Sequence, residues 1–169
     1  MTAALRKPSR RALLLLGLLW HAAACAENEI AVIAAGDSVG LTITRPLLRD
    51  IYLKKVFLDD TGQPLIPVNL PPDNPLRLSL AATLFNKNVQ QLQGYWNQRY
   101  FQGVAPPYML GSQEAVIQFV AKTPGAIGYI ASCRLDARVK RLLGISVAAS
   151  QREAVRQLCR PPAPSKRAD

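Results

Sequence analysis

Asn74-Pro75-Leu76-Arg77 is the stretch of this chain best equipped to hold a ligand. Asn74 suits a helix cap and Pro75 the first helical position. The unpaired N–H groups and dipole of such a helix start attract anions. Arg77, in the first turn, carries a planar guanidinium able to fork onto two oxyanion oxygens. Ser38, after the first apolar run, and Ser112, at a later helix start, add hydroxyl donors. Ser38, Asn74, Arg77 and Ser112 are thus the candidate oxyanion ligands. Each also has a plainer role: caps for Asn74 and Ser112, a solvated charge for Arg77, a turn for Gly36-Asp37-Ser38.

Covalent chemistry is poorly supplied. His21 is the single histidine, and it lies in an N-terminal segment with the marks of a removable export signal. Arg6, Lys7, Arg10 and Arg11 precede the apolar run Ala12–Trp20, and Ala24-Cys25-Ala26 offers a small-x-small cleavage site. The run falls short of the roughly 20 residues that span a bilayer. Cleavage after Ala26 is expected; lipidation at Cys25 and twin-arginine export through Ser9-Arg10-Arg11 are the variants. Without residues 1–26 no histidine remains for Ser-His, Cys-His or His-metal sites. Asp59-Asp60 reads as turn chemistry, and there is no glycine-rich phosphate loop. No enzymatic activity, cofactor or metal site is expected.

The remaining chain has the length of one small domain. Its charge is uneven: residues 27–133 balance, whereas Arg134 to Asp169 carry nine basic and three acidic residues. No aromatic residue interleaves those basic side chains, so a solvated face or attraction to anionic lipid fits better than nucleic acid. Cys133 and Cys159 are an even pair in an oxidising compartment and read first as a disulfide, with two free thiols as the alternative.

The elements that must position these groups follow from periodicity. Ile30–Ala34 and Ala126–Ala131 are short apolar runs bounded by glycine, as buried strands are. Leu65–Leu70 is a third strand, its Pro67 suggesting an edge or an end, and Val139–Ile145 a weaker fourth. Helices are expected after Thr44, Asn74, Asn88 and Ser112, each a capping residue ahead of helically spaced apolar positions. Tyr95, Trp96, Tyr100, Phe101 and Tyr108 gather around one helix and its following loop, as core or as an interaction patch. Pro161 to Arg167 is proline-rich, charged and expected to be disordered.

Leu48-Arg49-Asp50-Ile51-Tyr52-Leu53, Pro67-Val68-Asn69, Tyr95-Trp96 and Thr123-Pro-Gly-Ala-Ile-Gly-Tyr129 occur in that order. In these residues the chain resembles the periplasmic phosphate-binding proteins of ABC transporters over residues 30–131. The resemblance implies a type 2 periplasmic-binding-protein fold, a tetrahedral oxyanion held between two lobes, and a membrane permease or sensor as partner. Two departures stand out. The length suffices for about one lobe, and the family's Asp-x-Ser-Gly-Thr-like phosphate loop is replaced by Asp73-Asn74-Pro75-Leu76-Arg77. Lys54 also stands where glycine is usual. Fold transfers better than ligand across such departures.

The expectations are therefore an α/β fold, a single lobe with a small mixed sheet flanked by helices. Residues 1–26 are the signal peptide, 27–148 the binding-protein-like domain, and 149–169 a basic, proline-rich tail. The expected function is an exported periplasmic solute-binding-like protein for phosphate or another small oxyanion, in transport or sensing. The alternative is a ligand-free interaction or sensory module docking on a membrane partner.

Overall fold

A computed structural model describes residues 29–38 and 40–160. The predicted signal segment and the Pro161–Arg167 stretch lie outside the described residues. Among the described residues five strands and five helices follow in order: β1 Glu29–Ala35, α1 Arg45–Tyr52, β2 Ile66–Asn69, α2 Pro75–Phe85, α3 Val89–Tyr100, β3 Tyr108–Met109, α4 Gln113–Lys122, β4 Ala126–Ala131, β5 Val139–Ser146 and α5 Arg152–Cys159. They build one mixed sheet of order β3-β2-β4-β1-β5. β2 runs parallel to β3 and β4, whereas β1 is antiparallel to both β4 and β5. This is the α/β lobe with a small mixed sheet that the sequence predicts.

β4 and, after Glu29, β1 are apolar and buried because both faces are covered. α4 sits on one face. A methyl at Gly128 would lie 2.5 Å from Val116 Cγ1, so the absence of a side chain is what lets α4 approach β4. On the other face Tyr129 meets Tyr52 of α1, their ring centroids 6.0 Å apart. α2 and α5 cover this second face, contributing Leu76, Leu80 and Val155 to the same core. Burial of this kind stabilises by about 25 cal/mol per Å² of apolar surface.

Capping residues start the helices where the sequence places them. Thr44, Asn74, Asn88 and Ser112 each accept a backbone N–H, and Asn88 with Gln91 completes a capping box. α1 ends in a Schellman motif: Lys54 N–H reaches Ile51 O and Lys55 N–H reaches Asp50 O. Lys54 occupies the left-handed position of that motif, with φ 53°. This is where the resembled family carries glycine.

β2 is flanked on both sides, so of the two readings of Pro67, an edge or an end, the end is the one that holds: Pro67 is the second residue of β2. Ile66 N–H points to Gly125 O of the β4 side. Alternation turns the nitrogen of Pro67 the other way, where β3 begins only at the level of Val68. The missing N–H therefore leaves no partner unmet. The basic segment after residue 148 opens with folded structure, a 3₁₀ turn at Ala149–Gln151 and then α5. The Cys133–Cys159 disulfide forms, with Cα atoms 5.8 Å apart, and ties α5 to the end of β4.

Candidate functional site

The carboxyl end of β2 is organised by buried side chains reaching into backbone. Tyr129 hydroxyl donates to Asn69 Oδ1 at 2.9 Å and accepts Leu70 N–H at 3.2 Å. Tyr52 hydroxyl lies 3.0 Å from Val68 O and 3.3 Å from Ile127 O. Burial raises the pKa of both phenols above the ordinary tyrosine value, so they stay neutral and keep donating. Arg77 closes the arrangement, its Nη1 donating to Leu70 O at 2.7 Å.

Arg77 and Asn74 share the first turn of α2, as the sequence predicts. Asn74 Oδ1 caps the helix through Leu76 N–H at 3.0 Å, a bond that does not engage its amide nitrogen. Pro75 has no N–H, and Leu78 N–H bonds Asn74 O. Asn69 and Arg77 also line a small cavity of about 20 Å³ with Tyr52, Phe85 and Trp96. That volume admits about one water and no tetrahedral oxyanion. A ligand at this end must lie outside that cavity and reach Arg77 through guanidinium N–H groups other than the one on Leu70.

Ser112 starts α4 at the same end of the sheet but from the opposite face. Leu110, two residues earlier, donates to Asn69 O at 2.8 Å, which joins this segment to the end of β2. Ser112 Oγ caps Ala115 N–H at 3.1 Å. The adjacent Glu114 already complements the helix dipole, and Arg138 grips both its oxygens and Asp136. Those bonds from Arg138 lower the pKa of both carboxyls.

Ser38 is not brought to this site. β1 is antiparallel to β4 while β2 is parallel to it, so the carboxyl end of β1 lies at the amino end of β2. Ser38 there borders an open hollow of about 390 Å³ with Asp37, Asp59, Thr61 and Lys122. Asp59 Oδ1 accepts from Thr61 N–H and Oγ1 and from Gln63 N–H, and the hydroxyl bond does most to hold its carboxyl below the usual range. Two carboxylates make that hollow the wrong sign for an anion. Asn69 and Tyr129 are the residues added by the structure. Both stand in the strings that carry the family resemblance, but nothing in sequence pairs them across 60 positions.

Of the aromatic set, Trp96 is buried and Tyr95 donates to Leu53 O at 2.8 Å. Tyr100, Phe101 and Tyr108 are exposed.

No protein-family model matches the sequence, and no curated protein matches it either. Solved structures do. One, described as a phosphate ABC transporter substrate-binding protein with bound phosphate from Clostridium perfringens, aligns with a TM-score of 0.56 at 16% identity. It covers 69% of this chain and 45% of its own. An ABC-type phosphate transport receptor from Vibrio cholerae gives 0.55 at 16%, over 69% of this chain and 46% of the receptor. PstS from Borrelia burgdorferi gives 0.51 at 14%, over 85% and 55%. The chain thus spans about half the length of the solved structures it matches. The fold is a single lobe of the periplasmic-binding-protein kind, and the resemblance read from the sequence holds at the level of fold.

Proposed function

We propose that this chain is an exported, non-enzymatic solute-binding protein whose lobe engages a small oxyanion, phosphate first, at the carboxyl end of β2. The observation that carries this reading is the placement of Arg77. Its guanidinium stands at the start of α2, beside a strand end, with the N-terminus of α4 flanking from the other face. Ligands of open α/β sheets gather at such ends, where helix N–H groups and a cation act together. The likeness to substrate-binding proteins supports a solute-binding role in general. The net positive charge of the chain favours an anionic solute.

Asn74 contributes its free amide nitrogen and Ser112 its hydroxyl hydrogen. Ser38 has no part in this site. Export to the periplasm rests on the N-terminal segment, and among the described residues no helix is long and apolar enough to cross a membrane. A permease or sensor in the membrane is the partner such a protein would serve.

Titration calorimetry with phosphate, using sulfate as control, tests the reading. Micromolar phosphate binding that disappears in Arg77→Ala is the expected result. Silence with both anions would move the function to the ligand-free interaction module, a reading favoured by the exposed apolar side chains beside β3.

A further inference from the structure

The sheet has two edges, blunted in different ways: β3 by its length and by Pro106-Pro107 before it, β5 by charge and an irregular register. β5 carries Lys140 and Arg141 and an irregular register against β1 between Val32 and Ile33. Charges and bulges of this kind block strand addition. β3 carries neither. It is two residues long, Tyr108 and Met109, which are 69% and 61% exposed. Tyr100 and Phe101, at the end of α3, are 70% and 89% exposed, and their rings meet edge to face. Four large apolar side chains exposed within residues 100–109 make this segment a candidate interaction surface.

Charge decides what fits it. Between Lys87 and Glu114 the chain carries one charge, Arg99. That residue is half-buried, with Nη1 bonded to Gln102 and Nη2 directed at Lys54 O. The basic excess of the folded chain lies after residue 133, in a segment that holds β5, the opposite edge of the sheet. Two copies that meet across the β3 edge keep those basic segments apart.

The backbone is also self-complementary. Leu110 N–H points inward to Asn69 O, so strand alternation turns the N–H and C=O of Met109 outward. Two β3 edges related by a two-fold axis can exchange those bonds as an antiparallel pair, each presenting the same patch to the other.

We infer that the β3 edge, with Tyr100, Phe101, Tyr108 and Met109, is the interface of a two-fold homodimer of this chain. It needs no anion and is independent of the site at Arg77. An anionic membrane does not suit a surface without free cations, and a different protein strand is the competitor.

Sedimentation velocity of the purified protein from about 1 to about 100 µM tests this. The expected result is a concentration-dependent dimer that persists in about 1 M salt, where charge repulsion is screened. Phe101→Lys with Tyr108→Lys should weaken it at least tenfold while leaving the circular-dichroism spectrum unchanged, since both side chains are exposed. Met109→Pro removes the outward N–H without touching the β2 ladder and should weaken it too. A monomer across the whole range overturns the inference. So does a dimer that salt dissolves, one indifferent to these substitutions, or a monomer that uses these residues only to capture another protein.

Discussion

The two ends of the sheet are built differently, and the larger hollow is not the better site. At the amino end of β2 and β4 the chain is held by backbone. Gly125 has φ 75°, and a methyl there would lie 1.9 Å from Pro64 O. The space beside it is open and acidic. At the carboxyl end the chain is held by side chains: Tyr129 on Asn69 and Leu70, Tyr52 on Val68, Arg77 on Leu70. Between the 390 Å³ hollow and the 20 Å³ cavity volume favours the first end, whereas sign of charge and helix direction choose the second.

The largest effect should come from the backbone-held end. Gly125→Ala meets both a left-handed φ and a carbonyl and should destabilise by about 3 kcal/mol or more, read as a lowered urea midpoint. Asp59→Ala, at the same end but exposed, should leave any anion affinity unchanged. Removing the disulfide by Cys159→Ser, which frees α5 from β4, should cost about 3 kcal/mol through the unfolded chain's added freedom. Near-identical unfolding curves for this variant and the parent protein would show α5 to be held by Val155 and the Arg134–Leu158 bonds rather than by the disulfide.

Tyr129→Phe sharpens the comparison, because it strips a hydrogen bond from the carboxyl end without changing shape. Leaving Asn69 Oδ1 and Leu70 N–H unmet should cost about 1–3 kcal/mol. The same residue sets an alkaline limit. Its folded pKa is raised by burial, so its stabilisation is full below the ordinary tyrosine value of about 10 and declines as pH rises through it. The parent protein should lose stability above that pH, and the slope should fall in Tyr129→Phe. The smallest effect is a gain. Lys54→Gly relieves a left-handed φ and should stabilise by about 0.5–1 kcal/mol.

Much of the fold could be read from residues whose constraint is local. Thr44, Asn74, Asn88 and Ser112 start helices through their own side chains. The Pro-Gly-Ala-Ile-Gly-Tyr string combines a turn glycine, a packing glycine and the buried Tyr129. These residues are scaffold, which is why they convey a fold and convey a ligand poorly. What stayed out of reach was strand direction. Ser38 joins the site only if β1 runs parallel to β2, and no local pattern fixes that. α5 was also out of reach: Val155, Leu158 and Cys159 are its apolar stripe amid charge, and eight residues give periodicity little to work with. The aromatic cluster divides as well: α3 ends at Tyr100, and Tyr100, Phe101 and Tyr108 face outward.

The central claim of the proposed function is that an oxyanion binds at the carboxyl end of β2. Phosphate titration calorimetry on the parent protein, Arg77→Ala and Ser38→Ala tests it most directly. The account predicts phosphate binding in the parent, its loss in Arg77→Ala and no change in Ser38→Ala. Binding that survives Arg77→Ala and fails in Ser38→Ala, or heat from none of the three, would contradict it.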